Sequence, residues 1–250
     1  MKLNTLLLTT SLVTLTAVGA NASLSVLSSS AFQNKFNGSD IFDGTNAING
    51  WAGTGSPNDP GLALSGSNVS LNLTGTNGWI QHDNDATPWE LGTGSWTVEV
   101  RAMVSSNAGA GGFTIWGALN GERNIMTIRE SSVTDLAGNV FSVNNNVGEF
   151  HDFRLVYDGD DDAYHYFRDG SLITPAGGID QQAGSGNTRL IIGDCCTGIA
   201  GETFGGPDTV VELEYVRYDN TGAFSPVPEP ASSLLVMLGA LALGLRRRRE

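Results

Sequence analysis

Alternation of apolar and polar positions is clearest over residues 95–104, where Trp96, Val98, Val100, Ala102 and Val104 interleave with Thr97, Glu99, Arg101 and Met103. A period of two sends successive side chains to opposite sides, so this stretch reads as a β-strand with one buried face. Residues 113–119 and 124–129 read as the next pair of strands. They are joined through Asn120-Gly121, a dipeptide that tolerates the positive φ angles of tight hairpin turns. Residues 150–157 follow, with Phe153, Leu155 and Tyr157 on one face. The aspartates at 158 and 160–162 turn the chain into residues 163–168, and Asp169-Gly170 turns it again. Residues 189–192 and 210–218 complete the set. Helical periodicity is missing between these strands, and the runs alternate with clusters of Gly, Asn, Asp and Ser. That alternation predicts an all-β fold, an antiparallel β-sandwich forming one domain over residues 23–225. The 33 glycines agree with it, because turns and bulges need positive φ.

Both ends break this pattern. Near the N-terminus, Lys2 precedes an apolar Leu/Val/Thr/Ala stretch over residues 6–18, and Ala20-Asn21-Ala22 has the small-x-small form of a cleavage site. Residues 1–22 therefore read as a signal peptide, with a transmembrane anchor as the alternative. Its partners would be the Sec translocon and signal peptidase. At the other end, Pro228, Glu229 and Pro230 form a stiff spacer ahead of an apolar run over residues 231–245, which is followed by Arg246, Arg247, Arg248 and Arg249. As a helix the run would be about 22 Å long, somewhat short for a membrane span. A buried core helix is the alternative. Four consecutive arginines suit a cytoplasmic membrane stop better, under the positive-inside rule.

The order Pro-Glu-Pro, short apolar helix and terminal arginines resembles the PEP-CTERM sorting tail of biofilm-forming Gram-negative bacteria. The resemblance covers residues 227–250, within a sorting tail taken as residues 226–250. It implies a precursor held in the inner membrane by a transmembrane helix at 231–245 until an exosortase processes it, and a destination at the cell surface or in the extracellular matrix. The tail would be a substrate and would itself catalyse nothing.

Charge sharpens the picture once the ends are set aside. The whole chain has 26 acidic and 13 basic residues. Lys2, Glu229, Arg246, Arg247, Arg248, Arg249 and Glu250 leave with the ends, so the working domain holds 24 acidic against 8 basic residues, a net charge of −16. Nucleic acid is excluded as a partner, because its binding depends on cations that neutralise phosphates.

A second resemblance lies inside the domain. Phe150-His151-Asp152-Phe153-Arg154-Leu155-Val156-Tyr157-Asp158-Gly159, followed by Tyr166-Phe167-Arg168-Asp169-Gly170, is similar to the hairpin of laminin-G-like and concanavalin-A-like jelly rolls. Leu190-Ile191-Ile192-Gly193 and Glu214-Tyr215-Val216-Arg217-Tyr218 resemble later strands of those folds, with Phe150, Arg168 and Glu214 departing from the usual residues. The resemblance implies a jelly-roll sandwich, an architecture that hosts lectins, glycan-binding modules, glycosidases and adhesive domains alike.

Candidate chemistry is sparse. Glu212 and Glu214 share a strand face, but no third acid completes the E-x-D-x-x-E pattern of sandwich glycosidases. No serine or cysteine beside His82, His151 or His165 makes a nucleophile motif. Catalytic residues are therefore expected to be none. Asp158, Asp160, Asp161 and Asp162 are candidate ligands for Ca²⁺, the one cofactor suggested, against the plainer reading of a solvated turn. Asp40 and Asp43 with Asn46 are a weaker set. Trp51, Trp79, Trp89 and Trp116 are candidates for sugar stacking, with His82 and Asp83 as polar neighbours of Trp79 and Trp89; core packing competes with that role. Trp89, between Pro88 and Glu90, has the most exposed setting. Cys195-Cys196 leaves open a vicinal disulfide, free thiols or cross-links between chains. The expectation is an exported, non-catalytic structural or adhesive protein. A carbohydrate-binding module that meets extracellular polysaccharide is the second reading, and a secreted glycan hydrolase the third.

Overall fold

The computed structural model describes residues 24–56, 61–73, 77–82, 94–106, 112–119, 122–180, 188–194 and 210–227. The signal-peptide segment 1–22, Asp83, Trp89, the Cys195-Cys196 pair and the sorting tail from Pro228 onward lie outside these residues. Among the described residues, no helix is long and apolar enough to cross a membrane.

Strands dominate. In chain order they are β1 (Ser25–Val26), β2 (Asn34–Asn37), β3 (Ala52–Ser56), β4 (Gly61–Ser65), β5 (Asn68–Asn72) and β6 (Asn77–His82). Next come β7 (Trp96–Ser106), β8 (Gly112–Leu119), β9 (Glu122–Arg129), β10 (Val133–Thr134), β11 (Val140–Ser142) and β12 (His151–Asp158). The last are β13 (Ala163–Arg168), β14 (Ser171–Leu172), β15 (Arg189–Gly193), β16 (Val210–Asp219) and β17 (Phe224–Ser225). One four-residue helix, α1 (Gly38–Ile41), is closed by a capping box in which the Asn37 N–H donates to Asp40 at 2.9 Å.

Two sheets result. The first runs β11-β10-β9-β8-β15-β6-β3, and the second runs β14-β13-β12-β7-β16-β5-β4, with β2 added on β16. Every strand pairing within these two sheets is antiparallel. The chain changes sheet between β2 and β3, β3 and β4, β5 and β6, β6 and β7, β7 and β8, β11 and β12, β14 and β15, and β15 and β16. These crossings make a jelly-roll-type sandwich, and they bring strands distant in sequence side by side.

Alternation builds the core as expected. Trp96, Val98, Val100, Ala102 and Val104 from β7 pack against Phe113, Ile115, Met126, Ile128, Ile80, Leu190 and Ile192 from the other sheet. Trp96 is fully buried, and its ring occupies the space a side chain on Gly117 would need: a Cβ there would lie 2.4 Å from Trp96 Cη2. The hairpin read at Asn120-Gly121 joins β8 to β9 in unbroken register from Leu119 against Glu122 to Gly112 against Arg129.

The polar face of β7 differs from expectation. Thr97 and Glu99 are as buried as the apolar residues beside them. The cover is made by the two ends of the domain: β1 pairs in parallel with β17, and the joined segments lie over β7 and β12. Beneath them Arg154 donates from Nε to Glu99 at 2.8 Å, and from Nη1 to the carbonyls of Leu27 at 3.0 Å and Phe224 at 3.2 Å. The Phe32 ring stacks on the same guanidinium, 4.9 Å away. The Tyr215 hydroxyl lies 3.1 Å from Glu99 and 2.8 Å from Asp152, with one proton to donate to either carboxylate, and Arg101 joins Asp152 to Glu214. Burial lowers the Arg154 pKa and the nearby Glu99 carboxylate opposes that shift.

Candidate functional site on the outer face of the seven-stranded sheet

The inner faces of both sheets are filled, and the outer face of the eight-stranded sheet is sealed in part by the chain ends. The outer face of the seven-stranded sheet holds a different population. Its register defines cross-strand rows. Arg123 of β9, Ala118 of β8 and Arg189 of β15 form one, and Ile125, Trp116, Ile191 and Gln81 form the next. Thr134, Thr127, Thr114, Gly193 and Trp79 form the third. Arg129 stands at the far end of β9, on the same face as Arg123.

The middle of this face is apolar and closed. Trp116, Ala118, Ile125 and Ile191 pack together, with Trp79 and Leu136 against them. The rim is half-buried and cationic. Arg123 lies over the Trp116 ring at 4.5 Å, and burial lowers the pKa of both Arg123 and Arg129. Several polar atoms here are buried without a hydrogen-bond partner: Trp116 Nε1, Thr127 Oγ1, Thr134 Oγ1 and Arg189 Nε. Thr114, by contrast, donates to the Gly193 carbonyl at 2.8 Å, and Trp79 donates to Gln81 at 3.0 Å. Buried polar groups are nearly always satisfied, so a set of unsatisfied ones on a single face is informative. Among the described residues, Arg189 makes no ion pair.

The residues singled out from the sequence are dispersed. Trp79 and His82 both belong to β6 but sit three positions apart, so they point to opposite faces. His82, read as a polar neighbour of Trp79, ends a strand and is buried among Trp51, Phe36 and Tyr218, with Nε2 3.2 Å from the Asn49 carbonyl. Trp51 is a core residue and Trp116 a buried outer-face residue, so neither is an exposed stacking surface. Trp79 is half-buried on the rim.

Asp158 is buried and accepts the Asp160 N–H at 3.1 Å, while Asp162, at a φ of 51°, accepts the Tyr157 hydroxyl at 3.2 Å. Among the described residues, no three His, Cys, Asp or Glu side chains converge as a metal site would require. Asp43 accepts the N–H groups of Thr45 and Asn46, both at 2.7 Å, and these bonds hold its pKa below the usual value. Glu212 pairs with Met103, whereas Glu214 sits in a register shift between Leu213 and Tyr215 and is engaged by Arg101 at 2.8 Å. His165 is buried between the apolar residues of β13, and burial lowers its pKa. Asp194, just past β15, is also buried, its Oδ2 has no partner, and burial raises its pKa to about 7.

Sequence reasoning missed Arg123 and Arg189. The alternation Arg123, Ile125, Thr127, Arg129 could have flagged β9, but the adjacency of Arg123 and Arg189 depends on β15, 66 positions away, lying beside β8.

Residues 226–249 match the PEP-CTERM protein-sorting motif. That motif marks an exported chain whose C-terminal anchor is processed by an exosortase at the cell envelope. No curated protein matches the chain. Solved structures of similar shape include the Emp46p carbohydrate recognition domain, at 12% identity over 74% of this chain and 96% of that one, with a TM-score of 0.48. The carbohydrate-binding module CBM66 from Bacillus subtilis is 10% identical over 70% of this chain and 98% of its own, with a TM-score of 0.45. A sialidase is 12% identical over 68% of this chain, with a TM-score of 0.44, and the chain spans 17% of its length. At these values nothing about activity follows.

Proposed function

We propose that the chain is exported through the Sec translocon, cleaved by signal peptidase after Ala22 and held in the inner membrane by residues 231–245. Exosortase then acts near Pro228, Glu229 and Pro230, and the released domain serves a non-catalytic structural or adhesive role at the cell surface or in the extracellular matrix. The observation that carries this is the sorting-motif match at residues 226–249 directly behind a folded body. The body supports it: its first strand starts at Ser25 and its last ends at Ser225, and the two pair with each other. Both processing points would then lie just outside the fold and close together. The engagement of Glu214 by Arg101 supports the absence of a catalytic carboxylate pair on β16.

Deleting residues 228–250 and following the protein by cell fractionation tests the sorting reading. The truncated chain should fail to reach the cell surface; its arrival there in processed form would overturn the proposal. A second reading, carbohydrate binding, is favoured by the outer-face rim, where Trp79, Gln81 and Arg189 border buried polar atoms that lack partners. Selective retention on a glycan array supports it, and a blank array rejects it.

A further inference from the structure

We infer that the pairing of β1 with β17 is an autoinhibitory clasp: while closed it withholds the segment ahead of Pro228 from exosortase, and processing takes place on the open form. This rests on the sorting reading and names how it is regulated.

Three observations combine. The first is that the backbone ahead of the motif is already bonded. The Phe224 N–H donates to Thr97 Oγ1 at 2.9 Å, the Phe224 carbonyl accepts from Arg154 at 3.2 Å, and the Ser225 carbonyl accepts the Leu27 N–H at 2.9 Å. Thr97 Oγ1 donates in turn to the Gly222 carbonyl at 3.0 Å. An enzyme that takes its substrate as an extended segment binds these same main-chain groups. After β17, residues 226 and 227 alone precede Pro228.

The second is reach. Six Cα steps join Ser225 to Ala231, where the apolar run begins, and they span about 20 Å at most. A closed clasp therefore keeps the folded edge within that distance of the membrane, and a membrane-embedded enzyme has to close around the motif inside the gap. Opening as far as Thr221, whose own bonds are to Asp219, gives ten steps and about 35 Å.

The third is the way the clasp is built. Each of its strands has two residues, too few to persist unaided. Arg154, sealed beneath, holds both: its Nη1 donates to the Leu27 carbonyl at 3.0 Å and to the Phe224 carbonyl at 3.2 Å. One guanidinium thus joins the two ends, and departure of either loosens the other. Terminal segments of this kind open without unfolding the body of a domain. Enzymatic attack on an opened form follows the population of that form when opening is fast.

The test is pulse-chase labelling of the full chain in its native cells, reading the mass lost when the tail is removed. Val26→Cys with Ser225→Cys locks a register pair of the clasp, in a background of Cys195→Ser and Cys196→Ser that leaves no other thiol. Paired strands lie about 4.8 Å apart, within disulfide range. The bond forms in an oxidising compartment, so it also reports that the locked chain has left the cytoplasm. The locked chain should lose its tail at least about tenfold more slowly than the same chain kept reduced with dithiothreitol. Thr97→Val, which deletes the hydroxyl holding Gly222 and Phe224, should lose its tail about fivefold faster than the parent, the effect of one hydrogen bond on the open population. Unchanged near-ultraviolet circular dichroism shows that its fold is kept. Equal rates with and without the lock overturn the inference. Slower processing of folded Thr97→Val overturns its direction and makes the closed form the substrate. A parent chain that keeps its tail overturns the sorting reading, and the clasp's regulatory role with it.

Discussion

Two buried charged residues dominate the residue scale, and they behave oppositely. Arg154 is sealed but fully engaged, by Glu99, two carbonyls and the Phe32 ring. Removing one partner of such a pair strands the other without solvent. Arg154→Ala should therefore cost about 3–5 kcal/mol in urea denaturation, whereas replacing the pair together, Arg154→Met with Glu99→Leu, should cost much less. Equal losses in the single and double variants would show that the strapped segments, and not the charge, set the cost. Asp194 is sealed and under-satisfied. Its pKa, raised from 3.8 to about 7, means that the folded chain holds this proton more tightly than the unfolded chain. Its contribution to stability therefore falls as pH rises from about 4 to about 7 and is level beyond. Asp194→Asn should gain on the parent protein over that window, a comparison that also cancels the opposite slope from His165, whose lowered pKa makes its contribution fall below pH 6.5. A pH-independent difference between the two proteins would remove ionisation of Asp194 as the cause.

Elements are where the sequence was most legible. Strands β7, β8, β9, β12, β13, β15 and β16 all occur where alternation and turn residues announced them, because period-two patterning and Gly or Asp turns are local properties. The segments β3 to β5 carried no comparable signal: their Gly, Ser and Asn residues form strands through pairing with β6 and β16. A further element-level constraint is Gly117. It reads as a poor strand residue, yet β8 must pass directly over the Trp96 ring. Gly117→Ala should therefore destabilise the fold by about 1–3 kcal/mol, measured by the shift in denaturation midpoint, even though alanine is the better strand former. Gly117→Ala paired with Trp96→Phe, which shortens the ring, should recover part of the loss.

At the scale of the whole molecule, the clasp between β1 and β17 makes the ends of the domain part of its stability. A chain ending at Val227 keeps the clasp, whereas one ending at Gly222 loses β17, the Phe224 carbonyl bound by Arg154, and the Phe224 N–H that donates to Thr97 at 2.9 Å. The shorter chain should melt several degrees lower, as expected when about 1–3 kcal/mol of buried polar satisfaction is removed from a domain of this size. Coincident melting curves would show that the clasp only rests on the surface. The clasp also bounds where processing can act. Only residues 226 and 227 separate Ser225 from Pro228, so Pro228 lies within about 10 Å of the folded edge.

By itself the sequence determined the strand-rich class, the main hairpins, the acidic balance and the sorting tail, because each is written in neighbouring residues or in composition. Tertiary structure decided which outward faces stay outward. Thr97 and Glu99 read as solvated and are buried, because a chain end crosses over them. His82 and Trp79 read as neighbours and face opposite ways, because both lie on β6 three positions apart. Arg123 and Arg189 read as unrelated and share a row, because antiparallel pairing joins residues by register and not by distance along the chain.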